Sequence, residues 1–177
     1  MTVCQLQALR AARNIGIRVP IETIDRAVDY VRRARTQGGP FDGLFFYKTA
    51  GRGAWRKNRE YAINAAAITA LFSAGVYDRE YVEPALRFLE LEYPRVWRYA
   101  PQHYFYWYGN YYACQAFFQS GGIDFERYFD RTARDLLDSQ LPDGRWRNDV
   151  GPGDPFATAV ACVILLIPRQ YLPIFQR

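Results

Sequence analysis

The chain has 177 residues, half of them hydrophobic and 23% charged, a balance that builds one core-bearing domain and excludes a disordered chain. Its 23 Lys and Arg exceed its 18 Asp and Glu, but without the clustered run of a nucleic-acid arm, so no nucleic-acid partner is expected. Three cysteines, Cys4, Cys114 and Cys162, are odd in number and lack CxxC spacing, which excludes a disulfide framework or zinc ribbon.

In chain order, residues 2–14 read as a helix rich in Ala and Leu, starting at Met1 without the basic segment that a signal peptide needs. Residues 20–36 form an amphipathic helix, with Ile24, Ala27, Val28 and Val31 on one face and Asp25, Arg26 and Asp29 opposite. The connection from Gly38 to Asn58 is long for a loop and predicts irregular or short hairpin structure. It carries Phe41, Phe45, Phe46, Tyr47 and Trp55 beside Arg52, Arg56, Lys57 and Arg59. Residues 60–75 are apolar or small almost all round, which predicts a helix buried on more than one side. Gly75 suits its C-cap and Asp78 the N-cap of the next helix, 79–93, where Val82, Leu86 and Leu89 share a face. Residues 105–120 and 125–140 repeat the plan, with Gly121 and Asp124 in the cap positions. Asp154 and Pro155 open a last helix, 155–167, as N-cap and first-turn proline. The longest apolar run, Phe156 to Pro168, has 13 residues and contains Thr158, too few for a membrane span.

The chain repeats itself. Ala65 to Asp78 aligns without a gap on Tyr111 to Asp124, a shift of 46 residues. A further shift of 46 reaches Ala157, and a weaker copy stands at Val3 to Ala12, so that Ala8, Ala70, Ala116 and Cys162 become equivalent. The three cysteines, each in an apolar or Ala-rich stretch, read as small buried hydrophobes. All-round and one-sided helices alternate, which predicts two layers, the charged-faced members covering the apolar ones. The first and last members of the apolar series then expose surface that favours self-association or a protein partner.

Gln140, Gly144 and Trp146, in the order Gln-Leu-Pro-Asp-Gly-Arg-Trp, resemble the Gln-Trp repeat of the squalene-hopene cyclase, oxidosqualene cyclase and protein prenyltransferase superfamily. Arg26, Ala27, Tyr30 and Val31 match the first half of that motif, but Arg35 stands where its Gln belongs and Gly38 and Gly39 lead to Phe41. Phe88 and Leu89 keep only the central pair, and Asp135 and Leu136 have lost the aromatic residue. The resemblance implies an all-α fold, a two-layer α/α toroid of about seven alternating inner and outer helices over 1–177, in which Gln140, Gly144 and Trp146 are structural braces. The chain supplies fewer helix pairs than a closed ring takes and begins inside an inner helix. It reads either as an open arc or as the C-terminal part of a longer toroid.

The family's known chemistry does not carry over. Its cyclases protonate substrate through Asp-x-Asp-Asp, which this sequence lacks; Asp149 and Asp154, ahead of the last helix, stand five apart. Its prenyltransferases bind zinc through Asp, Cys and His with a local Asp-x-Cys, also lacking, and the one histidine is His103. No catalytic residue, metal or cofactor is therefore assigned. What remains is the aromatic run opening the third inner helix, where His103, Tyr104, Trp107, Tyr108 and Tyr111 are candidates to line a cavity. The resemblance points that end of the helix inward, where aromatic faces can hold an isoprenoid chain or a carbocation; packing between layers is the competing reading, and His103 reads first as a helix-start residue. The expected function is that of a non-catalytic or incomplete homologue binding an isoprenoid lipid or a protein. The alternative is the C-terminal part of a functional terpenoid cyclase whose general acid lies in an N-terminal segment. A protein-binding toroid like the complement thioester domains is a third class, but its Gly-Cys-Gly-Glu-Gln motif is missing.

Overall fold

The structure, a computed structural model, describes residues 1–47, 60–172 and 175. Trp55, Arg52, Arg56, Lys57 and Arg59 lie outside the described residues. The fold is all-α: among the described residues there are seven α-helices and no strand, and Arg35 and Phe45 form an isolated antiparallel bridge. The helices are α1 (Thr2–Asn14), α2 (Ile21–Arg33), α3 (Tyr61–Ser73), α4 (Arg79–Arg98), α5 (Tyr106–Ser120), α6 (Gly122–Ser139) and α7 (Asp154–Leu166). None is long and apolar enough to cross a membrane.

The two helices with apolar residues all round are those that burial surrounds. α3 packs against α1, α2, α4 and α5, and α5 packs against α3, α4, α6 and α7. Between them they bury Ala65, Ile68, Leu71, Phe72, Ala113, Cys114, Ala116 and Phe117. α2, α4 and α6 bury one stripe each, including Val28 and Val31, then Val82, Leu86 and Leu89, then Tyr128, Thr132 and Leu136. Small residues set the closeness of α3 and α5. A Cβ on Gly109 would stand 3.1 Å from the Ala62 Cα and 2.8 Å from the Tyr61 ring. Thr69 Oγ1 spans the same seam, donating to the Tyr112 carbonyl at 2.9 Å.

α1 and α7 depart from this plan because each has a neighbour of the apolar series on one side only. Ala70 and Ala116 are buried, whereas the equivalent Ala8 and Cys162 are exposed. The expectation that all three cysteines are buried is corrected accordingly: Cys4 and Cys162 are exposed and Cys114 alone is buried.

Helix ends follow the cap signals, with shifts that have local causes. α3 closes with the Val76 N–H on the Leu71 carbonyl and the Gly75 N–H on that of Phe72, both 3.0 Å, Gly75 taking the left-handed conformation this needs (φ 85°). Asp78 caps α4 by accepting from the Tyr81 N–H at 3.0 Å. α4 then runs to Arg98 rather than 93, straight through Pro94. Pro94 has no N–H for the Glu90 carbonyl, and Arg131 of α6 donates to that carbonyl instead at 3.5 Å. α6 begins at Gly122, with Gly121 as N-cap, so Asp124 lies in its first turn and pairs with Arg79. Gly153 rather than Asp154 is the N-cap of α7, and Asp154 accepts from the Asn148 N–H at 2.7 Å. α2 stops at Arg33 because the next residues turn to pair with 43–46. Thr36 N–H donates to Leu44 and Phe46 N–H to Ala34, both at 2.7 Å.

Candidate functional site

The segment from Gln140 to Gly153 joins α6 to α7. Buried Trp146 donates its indole N–H at 2.7 Å to the Leu136 carbonyl in the last turn of α6, which also accepts from Ser139 Oγ at 2.9 Å. Its backbone N–H donates to Thr158 Oγ1 of α7 at 3.1 Å. Gln140 stays within its own loop, donating from Nε2 to the Gly144 carbonyl at 2.8 Å, and Gly144 takes φ 86° in the turn between.

The aromatic run divides. α5 starts at Tyr106, so His103 and Tyr104 lie in the turn before it and share no helical face with Tyr111. Tyr104 is 64% exposed, with its ring alongside Gly151. His103 borders a 220 Å³ cleft with Glu60, Arg95 and Phe105. Burial holds its imidazole below the ordinary value, and Arg95 pushes the same way. Trp107 is 3% exposed and sits edge-on to Tyr106 inside the core. Tyr108 and Tyr111 do come together. With Tyr112 they wall one side of a 380 Å³ groove, faced by Phe156, Ala159, Val160 and Val163 of α7. Tyr108 also borders a second apolar groove, of 280 Å³, among α1, α2 and α3, where Val3, Val31, Ala66 and Ala70 form the walls.

This groove can hold apolar matter and offer hydrogen bonds, but its walls do not trade protons near neutrality. Burial pushes the phenols of Tyr108, Tyr111 and Tyr112 above their usual range, so each stays neutral and keeps its O–H. Tyr112 OH bonds Cys4 Sγ at 3.3 Å. Asp149, ahead of α7, is held ionised, the reverse of what a general acid needs. Asp149 accepts from Arg147 and from Gln102 Nε2 at 2.8 Å, and the Arg147 bond lowers its pKa. Asp154 pairs with Arg145. Among the described residues no group of three or more His, Cys, Asp or Glu side chains could hold a metal.

One cluster lies outside the candidates drawn from the sequence. Asn110 of α5 is wholly buried, and its Oδ1 accepts from Tyr128 OH at 2.9 Å and Tyr61 OH at 3.3 Å, while its Nδ2 donates to Tyr106 OH at 3.2 Å. The Tyr61 and Tyr128 hydroxyls also meet each other, so their two protons are divided among three contacts. Nearby, Tyr93 OH donates to Asp135 at 2.9 Å and Arg131 lies over the Tyr93 ring. The signal was present: Asn64 and Asn110 are equivalent in the repeat, and both are fully buried. Asn64 Oδ1 accepts from the Phe45 N–H at 2.9 Å. An asparagine inside an all-apolar helix needs partners: Asn110 ties α5 to α6, and Asn64 ties α3 to the segment that follows α2.

No family model, no curated protein and no solved structure matches the chain.

Proposed function

We propose that the chain is an arc of a two-layer α/α toroid akin to the cyclase and prenyltransferase superfamily, and that it binds an isoprenoid in the groove between α5 and α7 without transforming it. The observation that carries this reading is the groove itself, with three neutral tyrosines facing Phe156, Val160 and Val163. Such a wall favours a long uncharged hydrocarbon over a diphosphate, because no cationic side chain among the described residues lines it. Supporting the toroid are the alternation of surrounded and one-sided helices and the Gln140 to Trp146 link at an α6 end.

Binding should strengthen with chain length, since each buried CH₂ contributes about 0.8 kcal/mol until the groove is full. Titration of the purified chain with geraniol, farnesol and geranylgeraniol, read by tyrosine and tryptophan fluorescence, tests this. Saturable binding that tightens from geraniol to farnesol is expected; no saturation with any of the three refutes the reading. Incubation with squalene, or with a prenyl diphosphate and acceptor peptide with and without zinc, is expected to yield no product. Turnover in either would overturn the non-catalytic assignment.

A further inference from the structure

The α1–α2, α3–α4 and α5–α6 turns gather at one end of the bundle. Cys4 and Gln7 of α1 meet Tyr112 and Gln115 of α5, so these two helices run the same way. At their far ends Arg10 donates to the Phe72 carbonyl of α3 at 3.2 Å, and Arg79, which follows α3, pairs with Asp124, which follows α5. This end carries every exposed isoleucine among the described residues, Ile15, Ile17, Ile21 and Ile123, each more than half exposed, as is Tyr77. Single exposed apolar residues need no explanation, but a cluster of them on one surface marks a contact site. The turn that presents Ile15 and Ile17 is fixed by hydrogen bonds: Gly16 takes φ 86°, and the Ile17 N–H donates to the Ala12 carbonyl at 3.0 Å. Tyr47, Glu60 and Phe175, which border the residues outside the description, sit toward the other end, beside Tyr108, Tyr61 and Tyr111.

Charge indicates what covers this surface. Arg13 and Arg18 are exposed in the same corner, and residues 1–21 contain no Asp or Glu. A 310 Å³ cleft runs from this turn to Tyr77, with Arg10, Arg13, Val19 and Ile21 in its walls and no acidic side chain among the described residues that line it. Of the acids adjacent in sequence to the patch, Asp78 caps α4, Asp124 pairs with Arg79, and Glu22 remains in the first turn of α2. Aliphatic side chains flanked by arginines suit the boundary of an anionic bilayer, where the aliphatic groups enter the acyl region and the guanidinium groups reach lipid phosphates. A second copy would instead set one arginine-bearing surface against an identical one, a like-charge juxtaposition that an anionic bilayer avoids. We propose that this end of the bundle docks peripherally on an anionic lipid surface, with Ile15, Ile17, Ile21 and Ile123 in the interface and Arg13 and Arg18 on lipid phosphates. The inference does not depend on what the α5–α7 groove holds.

The test is cosedimentation of the full-length chain with vesicles of phosphatidylcholine alone and of phosphatidylcholine mixed with phosphatidylglycerol, neither containing isoprenoid. Wild type is expected to bind the mixed vesicles, and phosphatidylcholine on the order of tenfold more weakly. Ile15→Ser combined with Ile17→Ser should lower partitioning by at least about tenfold on both, and Ile123→Ser, on a separate turn, should act in the same direction. Arg13→Gln combined with Arg18→Gln should cost on the order of tenfold on the mixed vesicles alone. Leu91→Ser, at an exposed position within α4, should change nothing. Melting by circular dichroism checks that these variants, all at exposed positions, are folded. Failure of wild type to bind the mixed vesicles overturns the proposal, as does a loss with Leu91→Ser equal to that of the isoleucine pair. Gel filtration of the same samples reads the competing occupant: an isoleucine-dependent dimer that binds no vesicle overturns the lipid assignment in favour of a second copy.

Discussion

Replacing Asn110 with leucine probes the buried hub that joins α5 to α3 and α6. The side chains are similar in volume, so the effect reports lost polar partners rather than a cavity. Tyr61 and Tyr128 keep the bond between their own hydroxyls, but one of the two protons loses its acceptor, and Tyr106 OH loses the Nδ2 donor at 3.2 Å. A buried group left without its partner costs about 1–3 kcal/mol, so two of them, less a small gain from leucine burial, give about 3 kcal/mol. That is a large share of the roughly 5–15 kcal/mol that holds a domain folded. With a urea slope near 2 kcal/mol/M, the midpoint should fall by about 1.5 M. Tyr128→Phe alone should cost about 1 kcal/mol, because Tyr61 still serves the Asn110 oxygen. In the Asn110→Leu background it should cost much less, giving a coupling of about 1 kcal/mol in the double-mutant cycle. A single-variant loss under about 0.5 kcal/mol, or strict additivity, would refute the hub.

Three further outcomes follow from the same packing. Gly109→Ala drives a methyl against the Ala62 backbone and Tyr61 ring and should lower stability by about 1–3 kcal/mol, read as a lower melting temperature; an unchanged melt would mean that α3 and α5 do not cross so closely. Burial holds the phenols of Tyr61, Tyr106 and Tyr128 well above their ordinary value, while in the unfolded chain they ionise near pH ~10. The stability they confer is therefore complete below that pH and is lost as pH rises beyond it, by up to about 1.4 kcal/mol per unit for each group. Phenolate absorbance should accordingly reach its full amplitude only as helical circular dichroism disappears; full ionisation with helix intact would contradict this. Cys4 and Cys162 are exposed, whereas Cys114 is buried with its thiol pushed up by that burial. A disulfide reagent should thus titrate two thiols quickly and the third only in denaturant, and three fast thiols would refute the placement.

The helices of this protein were legible because hydrophobic periodicity and cap chemistry are local. The all-round apolar pattern of 60–75 and 105–120 marked the two surrounded helices, α3 and α5, and Gly75 and Asp78 sit where their conformational and hydrogen-bonding preferences place them. Of the aromatic candidates, Tyr108 and Tyr111 border one groove, whereas Tyr104 falls outside the helix and the neighbouring Trp107 turns into the core.

The rest depended on residues far apart in the chain. α4 continues through Pro94 because Arg131 serves the carbonyl that the proline abandons, a partner no local window contains. Ala8 and Cys162 carry the same small-residue pattern as Ala70 and Ala116, yet their exposure is decided by whether another helix lies beyond them. The Asn110 hub and the return of Phe175 onto Tyr111 are likewise side-chain meetings between separate segments. Periodicity and capping are encoded within a few residues and so can be read from the chain, whereas the identity of the atoms across a contact exists only once the chain has folded.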